Sequence, residues 1–168
     1  MKPSTLLATL GLFAGLAAAE PASPVDVNFV DADNFTDFSD SYSFPTRGRD
    51  LLIKELKSYI EAQVAQHLAP GQRLAIVITD VDMAGEFEPW QGSTAQDIRI
   101  VKDLYPPRIN LSFRLTDDAG NVLAEGNRKL RDLGFMYSSR VTDRDPLRHE
   151  KQLLERWISR ELRAAERA

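Results

Sequence analysis

The sequence predicts an α+β domain: a mixed sheet of four to five strands with two long helices packed on one face, in the order β-α-β-loop-β-β-β-α. Three observations predict it. "RINLSFRLTD" alternates apolar and polar residues over a full strand length, and "RLAIVITDVDM" is apolar on both faces, as in a strand with neighbours on either side. Two other stretches repeat apolar residues every three or four positions, the spacing of amphipathic helices. Proline, glycine and aspartate clusters separate these stretches.

The first strand is "VDVNFVD", with Val25, Val27 and Phe29 on one side and Asp26, Asn28 and Val30 on the other. A loop follows whose aromatic residues Phe35, Phe38, Tyr42 and Phe44 pack back onto the body. From Arg49 to Leu68 the stripe Leu52, Leu56, Tyr59/Ile60, Val64 and Leu68 marks the first helix, ended by Ala69-Pro70-Gly71. "RLAIVITDVDM" is the second strand, and if it neighbours the first through the helix the two run parallel. Ala84 to Gln96 has no sustained period and reads as a long loop. "DIRIVKD" is a short strand, closed off by Tyr105-Pro106-Pro107. "RINLSFRLTD" and "VLAEGNRKLRD" form a hairpin about Asp117 to Asn121, with Gly126 expected to mark a bulge. In the last helix Asp145 is placed to cap and Pro146 to take the first position, ahead of the stripe Leu147, Leu153/Leu154, Trp157/Ile158, Glu161/Leu162 and Ala165.

The N-terminus has the parts of a secretory signal peptide: basic Met1-Lys2, apolar Leu6 to Leu16, and Ala17-Ala18-Ala19, with cleavage near Ala19-Glu20. Residues 1–19 are thus the signal, 20–24 a linker and 25–168 one domain, periplasmic or secreted and without membrane insertion after cleavage. Removing Lys2 takes the 21 Lys+Arg to 20 against 25 Asp+Glu, a net charge of −5, which carries no basic footprint for nucleic acid. The chain has no cysteine, which excludes a disulfide, a thiol nucleophile and a lipid-bearing cysteine.

The stretch "TDVDMAGEFEPW" (Thr79 to Trp90) concentrates Asp80, Asp82, Glu86 and Glu88 after the most apolar strand. Period two places Asp80 and Asp82 on the same side as Leu74, Ile76 and Ile78, and Asp31 on the same side as Val25, Val27 and Phe29. Parallel neighbours then bring Asp31 to Asp80 or Asp82 at the carboxyl edge, where open α/β sheets bind ligands. Such carboxylates raise one another's pKa unless a positive charge answers them, either arginine (Arg99, Arg108 or Arg131) or a hard cation. The reading adopted is arginine, so no metal, cofactor or catalytic residue is assigned. Neither "DADNFTD" nor "DVDMAGE" has EF-hand spacing. His67 and His149 read as solvated helix-end residues, and Trp90 as a loop anchor packed on the core, an exposed position marking it instead for binding. The ligand- or partner-binding candidates are Asp31, Asp80, Asp82, Glu86, Trp90, Arg99 and Arg108.

Taken together, "VDVNFVDADNFTD", "PGQRLAIVITDVDMAGEFEP", "DIRIVKDLYPPRINLSFRL" and "HEKQLLERWI" resemble the bacterial secreted proteins grouped as domain of unknown function 3016. The resemblance implies a stand-alone secreted or periplasmic domain and transfers no substrate, cofactor or catalytic residue. The expected function is a binding or accessory module for an envelope protein or a small polar ligand. The alternatives are a carboxylate-based or cation-assisted hydrolase at Asp80/Asp82 and a structural or stress-related envelope protein.

Overall fold

The structure, a computed structural model, describes residues 23–92, 96–137 and 145–165, so the expected signal peptide and most of the expected linker lie outside the described residues. In chain order the elements are β1 (Val25–Phe29), α1 (Arg49–Ala65), β2 (Arg73–Asp82), β3 (Glu86–Phe87), β4 (Arg99–Ile100), β5 (Arg108–Thr116), β6 (Val122–Arg131) and α2 (Arg148–Ala165). The fold is α+β, with a mixed sheet in the order β1-β2-β5-β6 and a separate two-stranded sheet, β3-β4. β1 runs parallel to β2, from Val25 beside Leu74 to Phe29 beside Ile78, and the β2-β5 and β5-β6 pairs are antiparallel.

One apolar core joins the inner side of the main sheet to both helices. α1 contributes Leu52, Leu56, Ile60 and Val64, the stripe read from the sequence. α2 contributes Leu153, Leu154, Trp157, Ile158 and Leu162, with Trp157 edge-on to Phe113 of β5 at 5.6 Å between ring centroids. Phe29, Phe35 and Phe38 close the β1 end of the core, with ring centroids 6.0 to 6.4 Å apart. With no disulfide, this burial is the main term that offsets chain entropy.

Four local expectations change. α1 stops at Ala65 rather than Leu68, where the Gln66 and His67 N–H groups tighten to i→i−3 bonds on the Gln63 and Val64 carbonyls. α2 starts at Arg148, and Asp145 Oδ1 accepts from the Leu147 N–H at 2.8 Å, so the cap acts on the turn just before the helix. The "DIRIVKD" strand pairs with Glu86–Phe87, inside the segment read as a loop, and not with the main sheet. Gly126 sits in regular register opposite Phe113, and the irregularity of this hairpin lies at Leu115/Thr116. The missing side chain at Gly126 has another use: a Cβ there would stand 2.6 Å from Arg128 Nη1. Arg128 lies over the Phe113 ring at 4.9 Å and pairs with both oxygens of Glu161 on α2, at 2.5 and 3.0 Å.

Candidate functional site

The acidic end of β2 is built around one extra residue. The β2-β5 register shifts between Ile78 and Asp80, leaving Thr79 unopposed. A β-bulge of this kind reverses the side on which every later side chain falls. Leu74, Ile76 and Ile78 are core residues before it, and Val81 and Met83 are core residues after it. Asp80 and Asp82 therefore leave the helix-covered face, contrary to the uninterrupted period-two expectation. On the open face Asp80 accepts from Thr36 N–H at 2.7 Å, Thr36 Oγ1 at 3.0 Å and Asn110 Nδ2 at 3.4 Å. Asp82 faces Arg108, 3.3 Å away on the neighbouring strand. Its carboxyl pKa is nevertheless raised, chiefly by burial; Arg108 opposes the rise, and Asp37, Asp80 and Glu86 add to it.

Asp31 does not join this group. It takes a left-handed conformation (φ 60°) that turns the chain out of β1, and both its oxygens accept from Asn34 Nδ2 at 2.9 Å. The chain returns to the sheet edge six residues later, where Asp37 pairs with Asp82 in a parallel bridge and exchanges backbone hydrogen bonds with Val81 and Met83. The carboxylate beside Asp82 is thus that of Asp37.

Arg99 forks onto Asp37, with Nη1 to Oδ2 at 2.5 Å and Nη2 to Oδ1 at 2.9 Å. The same guanidinium donates to the carbonyls of Ser39 and Gly85 and lies over the Phe87 ring at 4.3 Å. Both charged side chains are largely buried, so this arginine is a cross-brace joining the loop after β1, the end of β2 and the β3-β4 pair. Gly85 permits the approach: its φ is 83°, and a Cβ would lie 2.8 Å from the Ile100 carbonyl oxygen.

Residues 84–92 and 96–105 are braced at three further points. Glu88, 2 % exposed, accepts from Lys102 Nζ at 2.6 and 2.8 Å and from Tyr105 Oη at 3.1 Å. Asp97 accepts from Ser41 Oγ, Ser43 N–H and Ser43 Oγ at 2.8 to 2.9 Å, and these bonds hold its pKa below the usual carboxylate range. At the root of the segment Glu150 of α2, fully buried, accepts from the Ala84 N–H at 2.7 Å through Oε1, while Oε2 has no partner. Burial raises its pKa to about 7 against the opposing pull of the Ala84 amide, its own backbone amide, Arg99 and Arg148. Beside it lies a cavity of about 190 Å³ bounded by Ser39, Met83, Arg99, Arg148 and His149.

Several large apolar side chains of these loops are exposed. Trp90, on the turn after β3, is 70 % exposed, so it does not anchor the loop to the core. Phe44, Tyr42 and Ile98 are also exposed, and the Tyr42 ring stands 6.3 Å from that of Phe87. Among the described residues no three acidic or histidine side chains converge as a metal site. His149 is not a solvated helix-end residue. Its Nε2 is buried without a partner, its ring meets Phe135 edge-on at 4.8 Å, and burial, with Arg148 adding, lowers its pKa to about 4.

The structure thus brings together Asp80, Asp82, Glu86 and Arg108, places Arg99 next to them through Asp37, bonds Asp31 to Asn34 instead, and leaves Trp90 exposed on the turn after β3. Sequence reasoning missed Asp37, Asp97 and Glu150. Glu150 had a visible signal, since it stands three residues after Leu147 and four before Leu154, on the apolar stripe itself. Asp37 and Asp97 had none, being loop acids whose partners lie 62 and about 55 residues away in sequence.

No curated protein and no solved structure matches the chain. Residues 23–160 match the family described as "Protein of unknown function (DUF3016)", so that most of the 168-residue chain is covered, and the chain belongs to this family.

Proposed function

We propose that the protein is a secreted or periplasmic binding module whose recognition surface is formed by residues 39–48, 84–92 and 96–98. The observation that supports this reading is the contrast between a rigid base and an exposed aromatic tip. Trp90, Phe44, Tyr42 and Ile98 face solvent, while Arg99–Asp37, Glu88–Lys102–Tyr105 and Asp97 with its two serines hold the loops beneath them. Rigid aromatic side chains bind a partner with little loss of conformational freedom, and pre-organised loops lower the ordering cost of association. The partner class is a protein or peptide with an apolar patch. A hydrolytic role for Asp80 and Asp82 has less support, because Asp80 accepts three hydrogen bonds and Asp82 is paired with Arg108.

Affinity capture from an envelope extract tests the proposal, comparing wild type with Trp90→Ala and with Tyr42→Ala/Trp90→Ala, each checked for an unchanged melting temperature. A specific partner retained by wild type and lost from the variants is the expected result. Retention of the same partner by all three proteins, or of none by wild type, would refute the assignment of this surface.

A further inference from the structure

We propose that the open edge of β6 binds the β6 edge of a second copy of this chain, joining the two four-stranded sheets into one eight-stranded sheet about a two-fold axis at Asn127. The two ends of the sheet differ. β1 is five residues long and preceded by Pro24, whereas β6 runs for ten residues without proline, and among the described residues no strand pairs with its outer side. An edge of that length presents a row of free N–H and C=O groups to any strand that fits it.

The hydrogen-bonding phase of β6 can be read from its inner side. Asp132 N–H donates to the Pro107 carbonyl, and these two residues continue the register that sets Arg131 opposite Arg108. Alternate residues of an antiparallel ladder bond to alternate neighbours. Ala124, Gly126, Arg128 and Leu130 therefore bond to β5, and the backbone groups of Glu125, Asn127, Lys129 and Arg131 point to the open edge, where the Asn127 carbonyl also accepts from Arg128 Nη1 at 3.0 Å and keeps its second lone pair for a facing strand.

A two-fold axis perpendicular to the sheet at Asn127 pairs residues of the two copies whose numbers add to 254. Glu125 then stands opposite Lys129 of the second copy, twice over, with both side chains on the exposed face and both backbones in bonding phase. Ala124 stands opposite Leu130 of the second copy, both on the core side. The neighbouring registers are worse. Moving the axis to Arg128 sets Glu125 opposite Arg131 but puts the Arg128 guanidinium opposite its own copy, and moving it to Gly126 sets Ala124 opposite Arg128 and removes the Glu125–Lys129 match. With the axis at Asn127 the strand is complementary to itself in charge, in apolar side and in hydrogen-bond phase, with no like charges facing each other.

The absence of cysteine makes the test direct. In Asn127→Cys the two thiols meet across a bonded pair, with α-carbons about 5.5 Å apart, within disulfide range. In Glu125→Cys they are offset by four residues, roughly 13 Å. Mild oxidation is expected to cross-link the first variant and not the second. In sedimentation equilibrium Lys129→Glu and Glu125→Lys are each expected to weaken the dimer on the order of tenfold, and the double exchange to restore it. A wild-type chain that sediments as a monomer throughout, equal cross-linking of both cysteine variants, or a dimer indifferent to Lys129→Glu overturns the proposal.

Discussion

Replacing Glu150 by glutamine is expected to change how stability depends on pH. The carboxyl is fully buried and its pKa is raised from 4.5 to about 7, so the folded chain holds this proton more tightly than the unfolded chain does. Its contribution is complete below pH 4.5 and is lost as pH rises through about 7. The interval between those values, at about 1.4 kcal/mol per pH unit, amounts to about 3 kcal/mol. His149 acts in the opposite sense. With its pKa lowered from 6.5 to about 4, it contributes above pH 6.5 and loses that contribution as pH falls through about 4. The two residues therefore oppose each other from about pH 4.5 to 6.5, and the wild-type curve alone shows little of either. The difference between Glu150→Gln and wild type isolates the glutamate. The glutamine oxygen keeps the bond from Ala84, and its amide nitrogen occupies the unpartnered Oε2 position at a pH-independent cost of about 1–3 kcal/mol. Urea denaturation at intervals from pH 4 to 8 should show the difference moving by about 3 kcal/mol in favour of the variant. A difference that stays flat across that range would refute the claim that burial dominates this carboxyl.

Three other outcomes are expected. Arg99→Ala should destabilise by about 3 kcal/mol, because it leaves Asp37 inside the loop junction without its fork, and Arg99→Lys should recover only part of this in the same denaturation assay. Deleting Thr79 should leave thermal unfolding cooperative, since it removes the one unopposed residue, makes the Ile78–Leu111 and Asp80–Asn110 pairs consecutive and keeps Val81 and Met83 on the core side and Asp80 and Asp82 on the open face. Asp97→Ala should speed hydrogen exchange at Ser43 and its neighbours while leaving the exchange of α1 and β5 unchanged, a pattern that mass spectrometry of peptic fragments resolves.

The regular elements were legible because burial imposes a period. The α1 stripe Leu52, Leu56, Ile60, Val64 and the β5 alternation Ile109, Leu111, Phe113, Leu115 are buried as expected. The site was legible in composition but not in geometry. Thr79 is an ordinary strand residue and nothing in its identity announces a bulge, yet its lack of a partner on β5 breaks the period-two count that runs from Ile78 to Asp80 and Asp82. Spacing along β1 points to Asp31 as the partner of Asp80 or Asp82; the left-handed turn at Asp31 takes the chain out of the strand, and Asp37, which no spacing marks, pairs with Asp82 instead. Arg108 was identifiable as a counter-charge because cross-strand pairing brings it to Asp82, whereas the Arg99–Asp37 fork depends on two loops meeting.

Arg128 gives the edge strand an index. It is the one charged residue of β6 on the side facing the helices, and it needs three things at once: the gap above Gly126, the Phe113 ring beneath it and the Glu161 carboxylate across from it. A slip of two residues preserves the alternation of faces and still loses all three. β6 should therefore behave as a latch with one engaged position, separating from β5 as a unit. When the chain refolds, strands paired two residues out of step would be rejected by electrostatics, where hydrophobic pattern alone would accept them.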